Sequence, residues 1–154
     1  MMLQRRTLLA LGLVALAAAP AGAQAPNVRF ETSSLAIESD GKTHRFTVEM
    51  ADTDERRTVG LMFRRQMAAD AGMLFDFQRD APVSMWMRNT LIPLDMLFVD
   101  ARGIVRKVHA RAVPLSEAII ASDEPVRAVL ELNGGTAARL GLKAGDRLVH
   151  PMFR

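Results

Sequence analysis

Residues 72–100, GMLFDFQRDAPVSMWMRNTLIPLDMLFVD, hold three apolar runs rich in β-forming side chains, parted by turn-forming residues. Runs this short, interrupted this often, leave no room for a long helix, and their alternation has the period of two that a strand requires. Met73, Phe75 and Phe77 alternate with Leu74 and Asp76. Beyond a turn expected over 78–82, Val83, Met85 and Met87 share one face, and Ser84, Trp86 and Arg88 the other. Pro93 cannot donate to a strand ladder, so 89–93 should break the pairing. Leu94–Val99 is apolar on both faces apart from Asp95, the pattern of a central strand.

The flanking sequence extends this theme. A strand is expected over 35–38. Asp40-Gly41 is a strong hairpin signal before residues 43–50, where Phe46, Val48 and Met50 face one way. Asp52 and Thr53 are good N-caps, and Asp52 stands at capping-box spacing from Glu55. A short helix is therefore expected over 54–63, with Val59, Met62 and Phe63 as its apolar stripe. Gly60 weakens such a helix by about 1 kcal/mol relative to alanine, and its use there suggests close packing on the sheet. Residues 100–103 should close a hairpin into a strand over 104–110. Val126, Ala128, Leu130 and Leu132 line one face of a later strand, whose alternation lets Glu131 face outward. Residues 136–140 make at most a helical turn, and a last strand covers 147–150. The fold expected is mainly β, an antiparallel sandwich or barrel with one short helix.

The N-terminus carries a different message. Arg5 and Arg6 precede an apolar run over 8–19, and Pro20-Ala21-Gly22-Ala23 supplies the small residues of a cleavage site. This is the pattern of a secretory signal peptide, with cleavage expected after Ala23. The run falls short of the roughly 20 residues that span a bilayer, so no stable membrane anchor is expected once it is cut. The arginine pair also fits a twin-arginine signal, and the general secretory route stays open beside it. The chain is thus expected to work in the periplasm or as a secreted protein. Its layout is a signal peptide over 1–23, a lead-in and first strand over 24–42, and one β domain over 43–150. Net charge falls from +3 to +1 when the two arginines leave, too little to mark a nucleic-acid partner. The absence of cysteine means that packing alone must hold the fold in an oxidising compartment.

Several of these segments carry a resemblance. Glu55-Arg56, Gly60-Leu61-Met62-Phe63-Arg64 and Gly72-Met73-Leu74-Phe75 precede the long run Trp86-Met87-Arg88-Asn89-Thr90-Leu91-Ile92-Pro93-Leu94-Asp95. With residues 128–132 and Gly145-Asp146, they resemble the domain of unknown function 192 family over roughly 43–150. Met85 and Arg88 depart from it, standing where phenylalanine and lysine are common. The resemblance implies a compact, mainly β domain of jelly-roll-like architecture, and no activity, since fold analogy licenses none.

The candidate site residues are Trp86, Arg88, Asn89, Thr90 and Asp95, with Arg57 from the helix. A buried Asp95 needs a partner, because stranding one member of a buried ion pair costs about 3–5 kcal/mol. Arg56, Arg57, Arg64 or Arg88 is the partner expected. Read structurally, Asp95 pins the helix to the sheet, and Asn89 and Thr90 satisfy an irregular turn. Read functionally, the group is the polar floor of a pocket walled by Trp86, for a small molecule or an envelope component. Seven methionines between Met50 and Met96 raise a third possibility, a Cu(I) site, against their ordinary use as filler of irregular cores. His44, His109 and His150 share no metal-ligand spacing, and no nucleophile elbow or phosphate loop is present, so no cofactor is expected. A binding or interaction module without chemistry is the leading expectation, and a hydrolase or lyase using Asp95 the rival.

Overall fold

The structure is a computed structural model that describes residues 27–153. The expected signal peptide and its cleavage point lie outside the described residues. Nine strands and two short α-helices follow in chain order, with a single 3-10 turn over Pro151–Phe153 after the last strand. They are β1 (Thr32–Ser39), β2 (Lys42–Ala51), α1 (Asp54–Val59), β3 (Ala71–Ala81), β4 (Ser84–Met85), β5 (Leu94–Val99), β6 (Val105–Ala112), β7 (Ile120–Ala121), β8 (Val126–Asn133), α2 (Thr136–Leu140) and β9 (Arg147–Val149). Seven strands form one curled sheet in the order β6-β5-β8-β3-β2-β1-β9, while β4 and β7 pair separately. The mainly β expectation holds, in barrel-like form.

The curl follows from pairings that bring the sheet's ends together. Ile104, just before β6, bridges Arg147 of β9. The Val105 N–H donates to the Asp146 carbonyl at 2.9 Å, and the Leu148 N–H to the Gly103 carbonyl at 2.7 Å. Inside the curl lies one apolar core that includes Leu35, Ile37, Leu97, Leu130 and Leu148. A second core, including Met73, Phe75, Met96, Phe98 and Val129, lies on the other face of β3, β8 and β5. There it is covered by the chain leaving α1 and by the segment after β3, through Leu61, Val83 and Met87. A sheet buried on both faces needs strands apolar on both faces, which is why all six β5 residues are buried.

Local sequence explains most elements. Asp40 and Gly41 both have positive φ (47° and 74°), as a two-residue hairpin turn demands, and they set Ser39 opposite Lys42. Thr53 is the N-cap of α1, its hydroxyl accepting the Arg56 N–H at 3.2 Å. Asp52 instead pairs with the Arg56 guanidinium at 2.7 Å, in place of the expected capping box with Glu55. The helix is shorter than the expected 54–63, because Gly60 takes φ 45° and ends it. A Cβ on Gly60 would stand 3.1 Å from the Phe75 ring, so glycine also lets the chain press onto β3. Leu61 rather than Val59 then becomes the fully buried residue.

One pairing departs from antiparallel. Strands β2 and β3 run parallel, with Val48 opposite Gly72, and the chain between them, including α1, makes the crossover that parallel neighbours require. β3 also continues to Ala81 through the residues expected as a turn, with Gln78 at φ 66° and a register shift between Asp76 and Ala81. Among the described residues, no helix is long and apolar enough to cross a membrane.

Candidate functional site

The segments meeting over the second core leave a cavity of about 130 Å³. The exit of α1 supplies Gly60, Leu61 and Met62, and β3 supplies Phe75 and Phe77. The segment after β4 supplies Trp86, Arg88 and Thr90, and β8 supplies Glu131. Larger depressions exist, such as one of about 630 Å³ beside the Asp40–Lys143 ion pair, but exposed turn residues line most of it.

Glu131 dominates the chemistry of this cavity. It sits in β8 opposite Met73 of β3 on one side and Met96 of β5 on the other, and both methionines are fully buried. Glu131 itself is 4% exposed. Its carboxyl has no hydrogen-bond or ion-pair partner among the described residues. Burial alone pushes its pKa up to about 8, so it is predominantly protonated at pH 7. The outward orientation expected for Glu131 is corrected by the packing on both faces of β8. Leu130 and Leu132 of β8 pack into the inner core and Val129 into the second, so both faces of the strand are covered.

Two arginines flank the cavity. Arg57 donates to the Asp76 carbonyl and to the Asp54 carboxylate, each at 2.6 Å, with its guanidinium 5.8 Å from the Phe77 ring centre. Arg88 lies 5.4 Å from the Trp86 ring centre and 3.7 Å from the Glu117 carboxylate. Trp86 is 43% exposed, a large aromatic surface beside an opening. Thr90 is buried, and its carbonyl accepts the Leu115 N–H at 3.0 Å, which ties the 86–93 segment to the chain after β6.

The expected residues thus divide. Arg57, Trp86, Arg88 and Thr90 line the cavity. Asn89 stands behind it: at φ 55° it uses the tolerance of asparagine for left-handed backbone, and its carbonyl accepts the Phe63 N–H at 2.8 Å. Asp95 does not line the cavity. It is fully buried, neighbouring Leu94 and Met96 belong to the second core, and alternation turns its side chain to the opposite face. Among the described residues no arginine side chain pairs with it, contrary to the expected ion pair. Its carboxylate accepts the backbone N–H of Arg111 at 2.8 Å, of Gly135 at 3.0 Å and of Ala137 at 2.7 Å. Peptide donors satisfy a buried carboxylate without the desolvation of a second charge.

The methionines split between packing and the cavity. Met73, Met87 and Met96 are fully buried in the second core, whereas Met62 and Met85 line the cavity. Among the described residues, no group of three or more His, Asp or Glu side chains is placed to hold a metal ion. Sequence reasoning undervalued Glu131. The signal was present in β8, where Val129 and Leu130 point apart and are both apolar. A glutamate in a strand apolar on both faces must be buried whichever way it turns.

The fold and site define a small curled-sheet β protein with a half-open cavity, floored by a buried carboxyl, on its covered face. The chain belongs to the domain of unknown function 192 family ("Uncharacterized ACR"), whose profile matches residues 35–150. It is similar to a crystal structure from Sinorhizobium meliloti 1021 named a "putative transcription regulator", with 53% identity and TM-score 0.78 over 80% of this chain and 97% of that one. It is also similar to a protein of unknown function from Novosphingobium aromaticivorans DSM 12444, with 39% identity and TM-score 0.78 over 87% of this chain and 94% of that one. No curated protein matches the chain.

Proposed function

We propose that the protein is an exported binding module without chemistry of its own, and that its site is the cavity over β8. The observation that carries this reading is convergence. Four stretches separated in sequence, around Gly60–Met62, Phe75, Trp86–Thr90 and Glu131, are the same stretches that carry the family resemblance, and all four line this one cavity. Packing alone does not call for a lone carboxyl at the bottom of a cavity, since an apolar residue there would cost less. The ligand is a small molecule or a small part of an envelope component. Export is supported by Arg5-Arg6, the apolar run over 8–19 and the small residues before Gln24. A role in transcription, as the Sinorhizobium meliloti relative is named, draws no support from a charge of +1 over residues 24–154.

The test is a thermal-shift screen of the protein against small polar aromatics, sugars and cell-wall fragments. A compound that binds the native state raises its apparent Tm. The reading expects hits whose shift disappears in Trp86→Ala. Hits of equal size in that variant would place the site elsewhere.

Acid–base chemistry is the second reading, and the raised pKa of Glu131 favours it. Glu131 takes the role in place of Asp95, whose oxygens are both engaged by backbone N–H groups. Turnover of a bound compound that ceases in Glu131→Gln, with binding kept, would select this reading over the first.

A further inference from the structure

We propose that the cavity takes a flat, uncharged ring carrying a hydroxyl group, a phenol in its simplest form, with that hydroxyl hydrogen-bonded to Glu131. The inference rests on the binding reading of the cavity and names its ligand class. Size comes first. About 130 Å³ is close to the roughly 150 Å³ of apolar cavities that admit benzene, and well under the several hundred a drug-sized ligand fills. The walls come second. Phe75 and Trp86 offer ring surface, and Met62 and Met85 offer thioethers, which pack favourably against aromatic rings.

The polar end decides the rest. Glu131 is buried, lines the cavity and has no partner among the described residues, so it is a hydrogen-bonding group left for something else to satisfy. As a neutral acid it has one O–H to donate and oxygens to accept with, and a hydroxyl group offers both complements. The groups around it disfavour charged ligands. On the neighbouring strands, the residues beside it are Met73 and Met96. Arg57 of α1 and Arg88 of the segment after β4 are the other ionisable side chains lining the cavity, and both oppose entry of an amine. A carboxylate reaching the floor would have to shed its water beside the buried Met73 and Met96, a cost that an uncharged hydroxyl avoids.

The experiment compares phenol, toluene and benzylamine, three rings of one size with different tips. Binding is read from the ¹³C-labelled methyl signals of Met62 and Met85. At pH 6.5 phenol should bind about tenfold more tightly than toluene, the worth of one hydrogen bond to a buried acid, and benzylamine more weakly than phenol. Phenol affinity should rise as the pH is raised from 6.5 to 9, because the carboxylate then formed accepts the phenol O–H as a charge-assisted hydrogen bond while phenol itself stays largely un-ionised below about 10. In Glu131→Gln, which keeps a neutral donor and acceptor, phenol should bind with no such rise. Toluene binding as tightly as phenol would overturn the ligand class and leave the cavity standing as a site. Benzylamine binding more tightly than phenol at pH 6.5 would overturn it too, because Glu131 would then act as a carboxylate where the cavity should keep it protonated. If none of the three moves either methyl signal, the binding reading fails and this inference fails with it.

Discussion

A carboxyl group buried without a partner must give way somewhere, and at Glu131 what gives way is ionisation. In the unfolded chain it titrates near 4.5, and in the fold near 8. Between those values the folded state holds a proton that the unfolded state has released. The stabilisation is therefore complete below about pH 4.5, is lost progressively above it, and is gone above about 8. The total is on the order of a few kcal/mol. Thermal melts should show Tm falling between pH 5 and 9, and Glu131→Gln should remove that part of the fall and be the more stable protein at pH 9. Equal pH slopes in the two proteins would show that Glu131 is not the group responsible. Other residues were legible from composition and spacing alone. Asn89 suits a left-handed turn position, and Asp40-Gly41 a tight hairpin, because each answers to its own backbone. Glu131 answers instead to strands more than 30 residues away in sequence.

At the scale of elements, Asp95 is a joint rather than a ligand group. One carboxylate of β5 holds the end of β6 through Arg111 and the start of α2 through Gly135 and Ala137. Asp95→Ala would strand three peptide N–H groups, at about 1–3 kcal/mol for a buried group left unsatisfied. A loss of at least about 3 kcal/mol is expected from urea denaturation, with the cavity ligand still bound by the folded fraction. A stability change under 1 kcal/mol would contradict this wiring. The requirement for a partner was readable in the sequence, since a charge in an apolar run must be satisfied. The partner's identity was not, because backbone donors carry no side-chain signature. The parallel pairing of β2 with β3 escaped for a related reason: alternation identifies a strand but says nothing of its direction.

At the scale of the whole molecule, the curl is closed by a short strand. β9 has three residues, yet Leu148 is 1% exposed and packs in the inner core with Ile37, its register partner on β1. Leu148→Ala should cost about 3 kcal/mol, as buried leucine truncations commonly do. A cost under 1 kcal/mol in urea unfolding would mean that β9 frays independently of the sheet. The same closure shapes the site, because a sheet curled around one core leaves its other face to be covered by connecting segments. Where those segments fail to meet, the cavity forms.

The sequence by itself determined the seven strands of the curled sheet, the hairpin, the start of the short capped helix, the two-sided burial of β5 and the family, but it overextended the strand at 84–85 and missed the one at 120–121. Each depends on neighbours within a few residues, where steric and hydrogen-bonding preferences act directly. It also brought Arg57, Trp86, Arg88 and Thr90 forward as a group. Only the tertiary structure decided that Glu131 joins them while Asp95 turns to the other face and binds backbone. That choice depends on contacts between distant segments: the chain leaving α1 and the segment after β3 cover the face of β8 that carries Val129, and so turned an apparently outward glutamate into the buried acid of the site.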